Sequence, residues 1–115
     1  MLIVEDDQDT RDSLREAFEQ EGYHVESATN GGEALDFLIH GARRPRVVIL
    51  DLLMPVMDGN RVYEAMQADS VLSKIPVIMS TSMPARAPTW VTVLPKPLKI
   101  DRLLAFVAEL WLRDP

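Results

Sequence analysis

Five short runs of aliphatic and β-branched residues, separated by segments long enough for helices, constrain the fold of this chain more than any other feature of its sequence. These strand candidates cover residues 2–4, 25–28, 47–50, 77–80 and 91–94. Parallel strands require long crossover connections, which are usually helices, and strands covered on both faces are apolar throughout. The alternation therefore predicts an α/β fold, a doubly wound five-stranded parallel sheet with helices on both faces.

Helical periodicity occupies the segments between the strand candidates. Apolar residues recur there at spacings of three and four, which is the pattern of a helix with one buried face. The predicted helices cover residues 11–21, 33–40, 60–67 and 100–111. Asp7 or Asp9 would cap the first of them, and Gly22 would end it. We expect the whole chain, residues 1–115, to form a single domain, because its length suits one hydrophobic core.

One segment breaks this alternation, between the fourth and fifth strand candidates. Pro84 and Pro88 lie there, four residues apart, where a crossover helix is expected. Each proline removes an amide donor and restricts the residue before it, so a regular helix is disfavoured. We predict that the fourth crossover helix is missing or reduced to an extended or single-turn connection.

Composition excludes several classes of function. The net charge of −6 disfavours binding to nucleic acid and to anionic membrane surfaces, because both attract basic proteins. The chain has no cysteine, which excludes disulfides and thiolate chemistry. Its apolar runs are all shorter than the roughly 18 residues of a membrane span. We expect a soluble cytoplasmic protein with no membrane partner and no direct nucleic-acid partner.

A carboxylate ends the third strand candidate. Asp51 directly follows residues 47–50, and an ionised carboxylate beside a core is costly to desolvate unless it has a partner. The carboxyl ends of parallel strands meet at one edge of the sheet, where ligands collect in doubly wound folds. The same edge would carry polar residues that follow the other strands: Glu5, Asp6 and Asp7 after the first, Thr81 and Ser82 after the fourth, and Lys96 after the fifth.

Together these groups suit phosphoryl transfer. Clustered carboxylates favour a hard divalent cation, Mg²⁺ or alternatively Mn²⁺. Such an ion would offset charge between Asp51 and an incoming phosphoryl group, while Lys96 and the hydroxyl of Thr81 would hold other phosphoryl oxygens. Asp51 would then be the nucleophile and would form an acyl phosphate.

The chain resembles the receiver domains of bacterial two-component response regulators in four motifs. In chain order these are IVEDD at residues 3–7, ILDLLMPVMDG at residues 49–59, PVIMSTS at residues 76–82 and PKP at residues 95–97. The resemblance implies a flavodoxin-like sheet of order 2-1-3-4-5. It also implies that a histidine kinase, or a histidine phosphotransfer protein, donates a phosphoryl group to Asp51. The phosphorylated domain would then change its contacts with a downstream protein or output domain.

The resemblance also implies roles for the residues at the sheet edge. Asp6, Asp51 and the backbone carbonyl of Leu53 would hold Mg²⁺, with Glu5 assisting through water. Lys96 would bind the phosphoryl group. Such a domain would catalyse its own phosphorylation and a slow dephosphorylation, without being a metabolic enzyme.

Some polar residues near the motifs allow two interpretations. The switch hydroxyl of the family falls on Thr81, although the neighbouring Ser82 is an alternative from the residues alone. The resemblance suggests a cis peptide bond between Lys96 and Pro97. His24 and His40 invite a phosphotransfer role, but we favour a structural role for both, in a strand and at a helix end.

The chain departs from the family at positions that affect regulation. Val93 occupies the position, three residues before the lysine, where the family tends to place an aromatic switch residue. Trp90 is a candidate substitute for that aromatic. Leu53 and Met83 occupy the positions that commonly tune dephosphorylation. Neither side chain can position a water by hydrogen bonding, so we predict slow self-catalysed hydrolysis.

Two other functions remain compatible with the residues. The first is a degenerate receiver that binds a partner without regulated phosphorylation, suggested by Val93 and the irregular connection. The second is a hydrolase with an aspartyl-phosphate intermediate. Such phosphatases usually carry a second acid two residues after the nucleophile, where this chain has Leu53.

Overall fold

Strands and helices alternate in the computed structural model, which describes residues 1–54, 57–88 and 91–113. The strands are β1 Leu2–Val4, β2 Glu26–Ala28, β3 Val48–Asp51, β4 Val77–Thr81 and β5 Thr92–Pro95. The helices are α1 Gln8–Gln20, α2 Gly31–His40, α3 Gly59–Gln67 and α4 Ile100–Arg113. No helix within the described ranges is long and apolar enough to cross a membrane.

All strand pairs of the sheet are parallel, and their order is β2-β1-β3-β4-β5. This order requires the chain to wind in both directions from β1, which places helices on both faces. The predicted α/β fold with flavodoxin-like order 2-1-3-4-5 is therefore confirmed.

The hydrophobic core has two parts, one on each face of the sheet. Side chains of successive strand residues point to opposite faces, so Val4 and Leu50 pack with α2 and α3, whereas Ile3 and Ile49 pack with α1 and α4. All four of these strand residues are at most 2% exposed. Burial on both faces explains why the central strands are apolar throughout.

Side-chain caps fix the beginnings of three helices. Asp7 accepts a hydrogen bond from the amide of Thr10 and begins α1. Asn30 plays the same role for α2, and Asp58 for α3. These caps place the start of α1 three residues before the predicted boundary, because polar residues in a first turn carry no apolar periodicity.

The connection between β4 and β5 contains a single 3₁₀ turn, Pro84–Arg86, among its described residues. The side-chain amide of Asn60, on α3, donates to the carbonyl oxygen of Arg86 over 3.0 Å and ties this turn to the helix. The prediction of a missing or reduced fourth crossover helix is thus confirmed. Trp90, the candidate switch aromatic, lies outside the described residues.

Candidate functional site

The strand register brings the ends of four strands to one edge of the sheet. Val4 pairs with Leu50, one residue before Asp51, and Asp51 itself pairs with Ser80. Thr81 pairs with Pro95 at the end of the next strand pair. The residues predicted for the site therefore share one edge: Glu5 and Asp6 after β1, Asp51 at the end of β3, Thr81 at the end of β4 and Lys96 after β5.

Three carboxylates converge at this edge. Glu5, Asp6 and Asp51 each offer an oxygen, and these oxygens lie within 4.8 Å of one another. Glu5 and Asp51 are each 2% exposed, whereas Asp6 is open to solvent. Burial, followed by the charge of Glu5, raises the pKa of Asp51 to about 7. Like charges this close favour a cation between them.

Lys96 supplies positive charge to the two buried carboxylates. Its Nζ lies 3.2 Å from Oδ1 of Asp51 and 3.3 Å from Oε1 of Glu5. Burial of the ammonium lowers the pKa of Lys96, but the charges of Asp51 and Glu5 together raise it above the ordinary value. The lysine is therefore held in its charged form between the carboxylates.

The backbone around Lys96 is fixed as well. Its amide donates to the carbonyl oxygen of Thr81 over 2.9 Å, which ties the end of β5 to the end of β4. The Lys96–Pro97 peptide bond is cis, so the expectation drawn from the family resemblance is confirmed.

The two hydroxyls after β4 differ in exposure. Thr81 is 1% exposed, and its Oγ1 accepts a hydrogen bond from the amide of Met83 over 2.9 Å. Ser82 is exposed to solvent. Of the two candidates, Thr81 is the one enclosed at the sheet edge, while its contact with a phosphoryl group stays a prediction.

Two exposed apolar side chains stand close in sequence to Asp51 and Thr81. Leu53, two residues after Asp51, is 38% exposed, and Met83, two residues after Thr81, is 44% exposed. Exposed large apolar side chains border solvent without offering it a hydrogen bond. Their role in shielding an acyl phosphate from water stays a prediction.

The backbone that follows Asp51 lies directly against the beginning of α3. The amide of Gly59 donates to the carbonyl oxygen of Leu52 over 2.7 Å. A Cβ atom on Gly59 would lie only 2.5 Å from the carbonyl oxygen of Asp51 and 2.8 Å from Cα of Leu52. The close approach requires glycine at this position.

One residue at the site escaped the sequence analysis. Arg11, in the first turns of α1, donates through Nη1 to the carbonyl oxygen of Glu5 over 2.9 Å and to that of Asp6 over 3.3 Å. The sequence signal for this contact was limited to the position of Arg11, a few residues after the acidic residues and inside the helix that follows them. Because its targets are backbone atoms, no pattern of side chains pointed to it.

The donor set fits a hard divalent cation. The carboxylates of Glu5, Asp6 and Asp51 offer oxygens alone, which are the ligands that Mg²⁺ and Mn²⁺ prefer. The exposure of Asp6 leaves one side of the cluster open to solvent, which suits a cation that retains water ligands. The observed cluster is therefore compatible with the metal that the sequence predicts.

Comparison with known proteins gives a consistent result. A family model described as the response regulator receiver domain matches residues 1–108. Two curated relatives are the response regulators MprA of Mycobacterium sp. (strain KMS), 35% identical over 123 residues, and of Mycobacterium avium (strain 104), 34% identical over 123 residues. Each alignment covers 98% of this chain, but 50% and 51% of the respective relative. The chain spans about half the length of these relatives.

Solved structures agree with the sequence relatives. The signal receiver domain of a signal transduction histidine kinase from Syntrophus aciditrophicus superposes with a TM-score of 0.85 and 31% identity, covering 99% of this chain and 92% of that one. The chemotaxis response regulator CheY4 of Vibrio cholerae superposes with a TM-score of 0.84 and 28% identity, covering 95% of each chain.

Proposed function

Because the chain belongs to the family of response regulator receiver domains, we propose that Asp51 accepts a phosphoryl group from a histidine kinase or a histidine phosphotransfer protein. The observation that carries the proposal is the placement of Asp51 among two further carboxylates and Lys96 at the carboxyl edge of the sheet. The proposal includes a cytoplasmic location, where such kinases take phosphoryl groups from ATP.

The proposed chemistry is a nucleophilic displacement at phosphorus. An oxygen of Asp51 forms the new bond to phosphorus, the bond from phosphorus to the donor's imidazole nitrogen breaks, and that nitrogen keeps the electron pair. Asp51 must be ionised to attack, and its raised pKa shows that burial and Glu5 oppose ionisation. Lys96, 3.2 Å from Asp51, favours the ionised form.

The carboxylates and one backbone group would complete the site. Asp6, Asp51 and the carbonyl of Leu53 would hold Mg²⁺, with Glu5 assisting through water, and the ion when bound supplies positive charge next to the phosphoryl oxygens. Lys96 would hold a second phosphoryl oxygen, because its ammonium already lies between the carboxylates of Glu5 and Asp51.

The proposed output is a change in surface contacts around the ends of β4 and β5. The hydroxyl of Thr81, whose Oγ1 accepts from the Met83 amide, would donate its own proton to a phosphoryl oxygen. Val93, half-buried in β5, has no ring that could follow this movement. A downstream protein or output domain would therefore read the connection around Pro84–Arg86 and not a rotation of residue 93.

The test is phosphorylation by a small phosphodonor with Mg²⁺, followed by intact mass measurement. We expect wild-type protein to gain one phosphoryl group and Asp51→Asn to gain none. Asp36→Asn, which removes an exposed acid from α2, is the matched control and should behave like wild type. Absence of any mass gain in wild type, where an unrelated receiver is modified, would contradict the proposal.

A second candidate function is a receiver that binds its partner without phosphorylation. The reduced connection at Pro84–Arg86 and the presence of Val93 favour it, because both alter the usual route from phosphorylation to output. The same mass measurement separates the two functions, since this second protein would gain no phosphoryl group under conditions where an unrelated receiver is modified.

A further inference from the structure

Arg11 contacts the backbone of the loop that carries two of the carboxylates. This loop, residues 5–7, connects β1 to α1 and will be called the acidic loop. One guanidinium nitrogen of Arg11 reaches two consecutive carbonyl oxygens, that of Glu5 at 2.9 Å and that of Asp6 at 3.3 Å. The arginine is half-buried, and its hydrogen bond to Glu5 is partly shielded from water, whereas its hydrogen bond to Asp6 is exposed.

The acidic loop needs such restraint because its side chains repel one another. The carboxylates of Glu5 and Asp6 converge with that of Asp51. Rotation of the peptide units after Glu5 and Asp6 would move these carboxylates apart and relieve the repulsion. The other restraints on the loop act on different groups: the Asp7 amide donates to Oε2 of Glu5, the Glu5 amide donates to the carbonyl oxygen of Ala28 over 3.1 Å, and Nζ of Lys96 lies 3.3 Å from Oε1 of Glu5. Arg11 instead holds the carbonyl oxygens of Glu5 and Asp6.

We propose that Arg11 is a positioning residue that holds the carboxylates of Glu5 and Asp6 in the arrangement that binds a divalent cation. By fixing both carbonyl groups from one side, the guanidinium fixes the two peptide planes from which the carboxylates project. The inference rests on the proposed function, because it takes Mg²⁺ to be the cation.

The sign of the effect on metal affinity distinguishes positioning from simple charge. If Arg11 acted only through its positive charge, its removal would reduce repulsion of the cation and strengthen Mg²⁺ binding. If Arg11 positions the ligands, its removal weakens binding, because metal affinity falls when the groups that orient the ligands are lost.

The experiment measures the Mg²⁺ dissociation constant by isothermal titration calorimetry on the full chain. We expect Arg11→Gln to bind Mg²⁺ about tenfold more weakly than wild type. Arg11→Lys keeps the charge but replaces the planar guanidinium, whose Nη1 makes both hydrogen bonds, with an ammonium on a flexible stem, so we expect it to weaken binding as well. If Arg11→Gln does not fold, the Mg²⁺ affinity of Arg11→Lys is compared with that of wild type instead.

Arg15→Gln is the matched control. Arg15 also extends from α1 to the backbone of a neighbouring segment, donating to the carbonyl oxygen of Val25 over 2.8 Å and to Oγ of Ser27 over 2.9 Å. Its partners lie in and beside β2, away from the acidic loop. We expect its loss to leave the Mg²⁺ dissociation constant unchanged within twofold, and differential scanning calorimetry on each variant verifies that it is folded.

The outcomes separate this inference from the proposed function. Weaker Mg²⁺ binding in both Arg11 variants, with Arg15→Gln unchanged, supports the positioning role. Unchanged or tighter binding in the Arg11 variants overturns it and leaves the proposed function standing. Failure of wild type to bind Mg²⁺ at all would overturn both.

Discussion

At the scale of a single residue, ionisation of Asp51 lowers the stability of the folded protein. Its pKa is raised, first by burial and then by the charge of Glu5, and Lys96 opposes part of that increase. The folded protein therefore binds a proton at Asp51 more tightly than the unfolded chain does. The resulting stability is present below the ordinary aspartate pKa of about 4 and is lost as pH rises through about 7.

This sign leads to a prediction for Asp51→Asn. In the absence of Mg²⁺ at pH 8, the variant should have a free energy of unfolding higher than wild type by on the order of 2 kcal/mol, because the neutral amide avoids ionisation. Near pH 4 the difference should disappear. Urea unfolding at both values of pH measures it, with Asp36→Asn as control. Equal stability of wild type and Asp51→Asn at pH 8 would show that ionised Asp51 carries no such penalty.

Leu53 and Met83 support a second prediction at this scale, on the lifetime of the acyl phosphate. Both are exposed apolar side chains at the positions that commonly tune dephosphorylation. Leu53→Asn and Met83→Glu should each accelerate loss of the phosphoryl group by roughly tenfold, because an amide or carboxylate can orient an attacking water. The decay of phosphorylated protein with Mg²⁺ present measures the rate.

Val71→Asn is the matched control for the lifetime measurement. Val71 is also an exposed apolar residue, 43% accessible, but it lies before the 3₁₀ turn Leu72–Lys74 and not at a strand end. Its substitution should leave the decay rate unchanged. If Leu53→Asn and Met83→Glu also decay at the wild-type rate, shielding by these side chains is the wrong explanation for a long lifetime.

At the scale of secondary-structure elements, the beginning of α3 controls where the backbone of Asp51 lies. Gly59→Ala should destabilise the fold by about 1–3 kcal/mol, because the added Cβ overlaps the backbone of Asp51 and Leu52. The same shift should slow phosphorylation of Asp51. Denaturant unfolding and the phosphorylation rate are measured together.

Gly31→Ala provides the comparison for Gly59→Ala. A Cβ atom on Gly31 would meet Met57 and Val62 and not the backbone of Asp51. We expect a comparable loss of stability and a smaller change in the phosphorylation rate. If the two variants slow phosphorylation equally, the effect of Gly59→Ala reflects general destabilisation of the fold.

Elements with apolar periodicity were predictable, and local polar contacts were not. The strand candidates at 25–28, 47–50 and 91–94 each began one residue early. In the first two, Val25 and Val47 are buried without pairing in a strand. The 3₁₀ turn Leu72–Lys74 was not predicted. It follows Asp69, whose side chain accepts hydrogen bonds from the amides of Val71 and Leu72 and leaves no periodic signal.

The same contrast between predictable elements and unpredictable local contacts applies to the functional site. The proximity of Glu5, Asp51 and Lys96 could be predicted because the ends of parallel strands coincide at one edge. The contact of Arg11 with two carbonyl oxygens could not, since backbone acceptors are present at every residue and mark no position in a sequence.

At the scale of the whole molecule, the two parts of the core share one sheet. Neighbouring residues of the same strand, such as Leu2 and Ile3, belong to opposite parts. The radius of gyration of 12.8 Å is about that of a single domain of this length. We therefore propose that residues 1–115 form one cooperative domain.

Cooperativity can be tested with one substitution in each part of the core. Leu38→Ala lies on α2 and Leu103→Ala on α4, and both leucines are buried. Each substitution should lower the free energy of unfolding by about 2–4 kcal/mol. Urea transitions followed by circular dichroism and by tyrosine and tryptophan fluorescence should coincide in both variants. Separate transitions for the two probes would show that the two parts of the core unfold independently.

The anchoring of the shortened connection has an evolutionary consequence. The turn Pro84–Arg86 is bonded to Asn60 on α3, whereas the carboxylates and the lysine project from the ends of β1, β3 and β5. Mutations that remodel the turn can therefore accumulate in a lineage while these carboxylates and the lysine are inherited unchanged. Such a gene can therefore evolve binding to a new downstream partner while the residues at the carboxyl edge of the sheet stay the same.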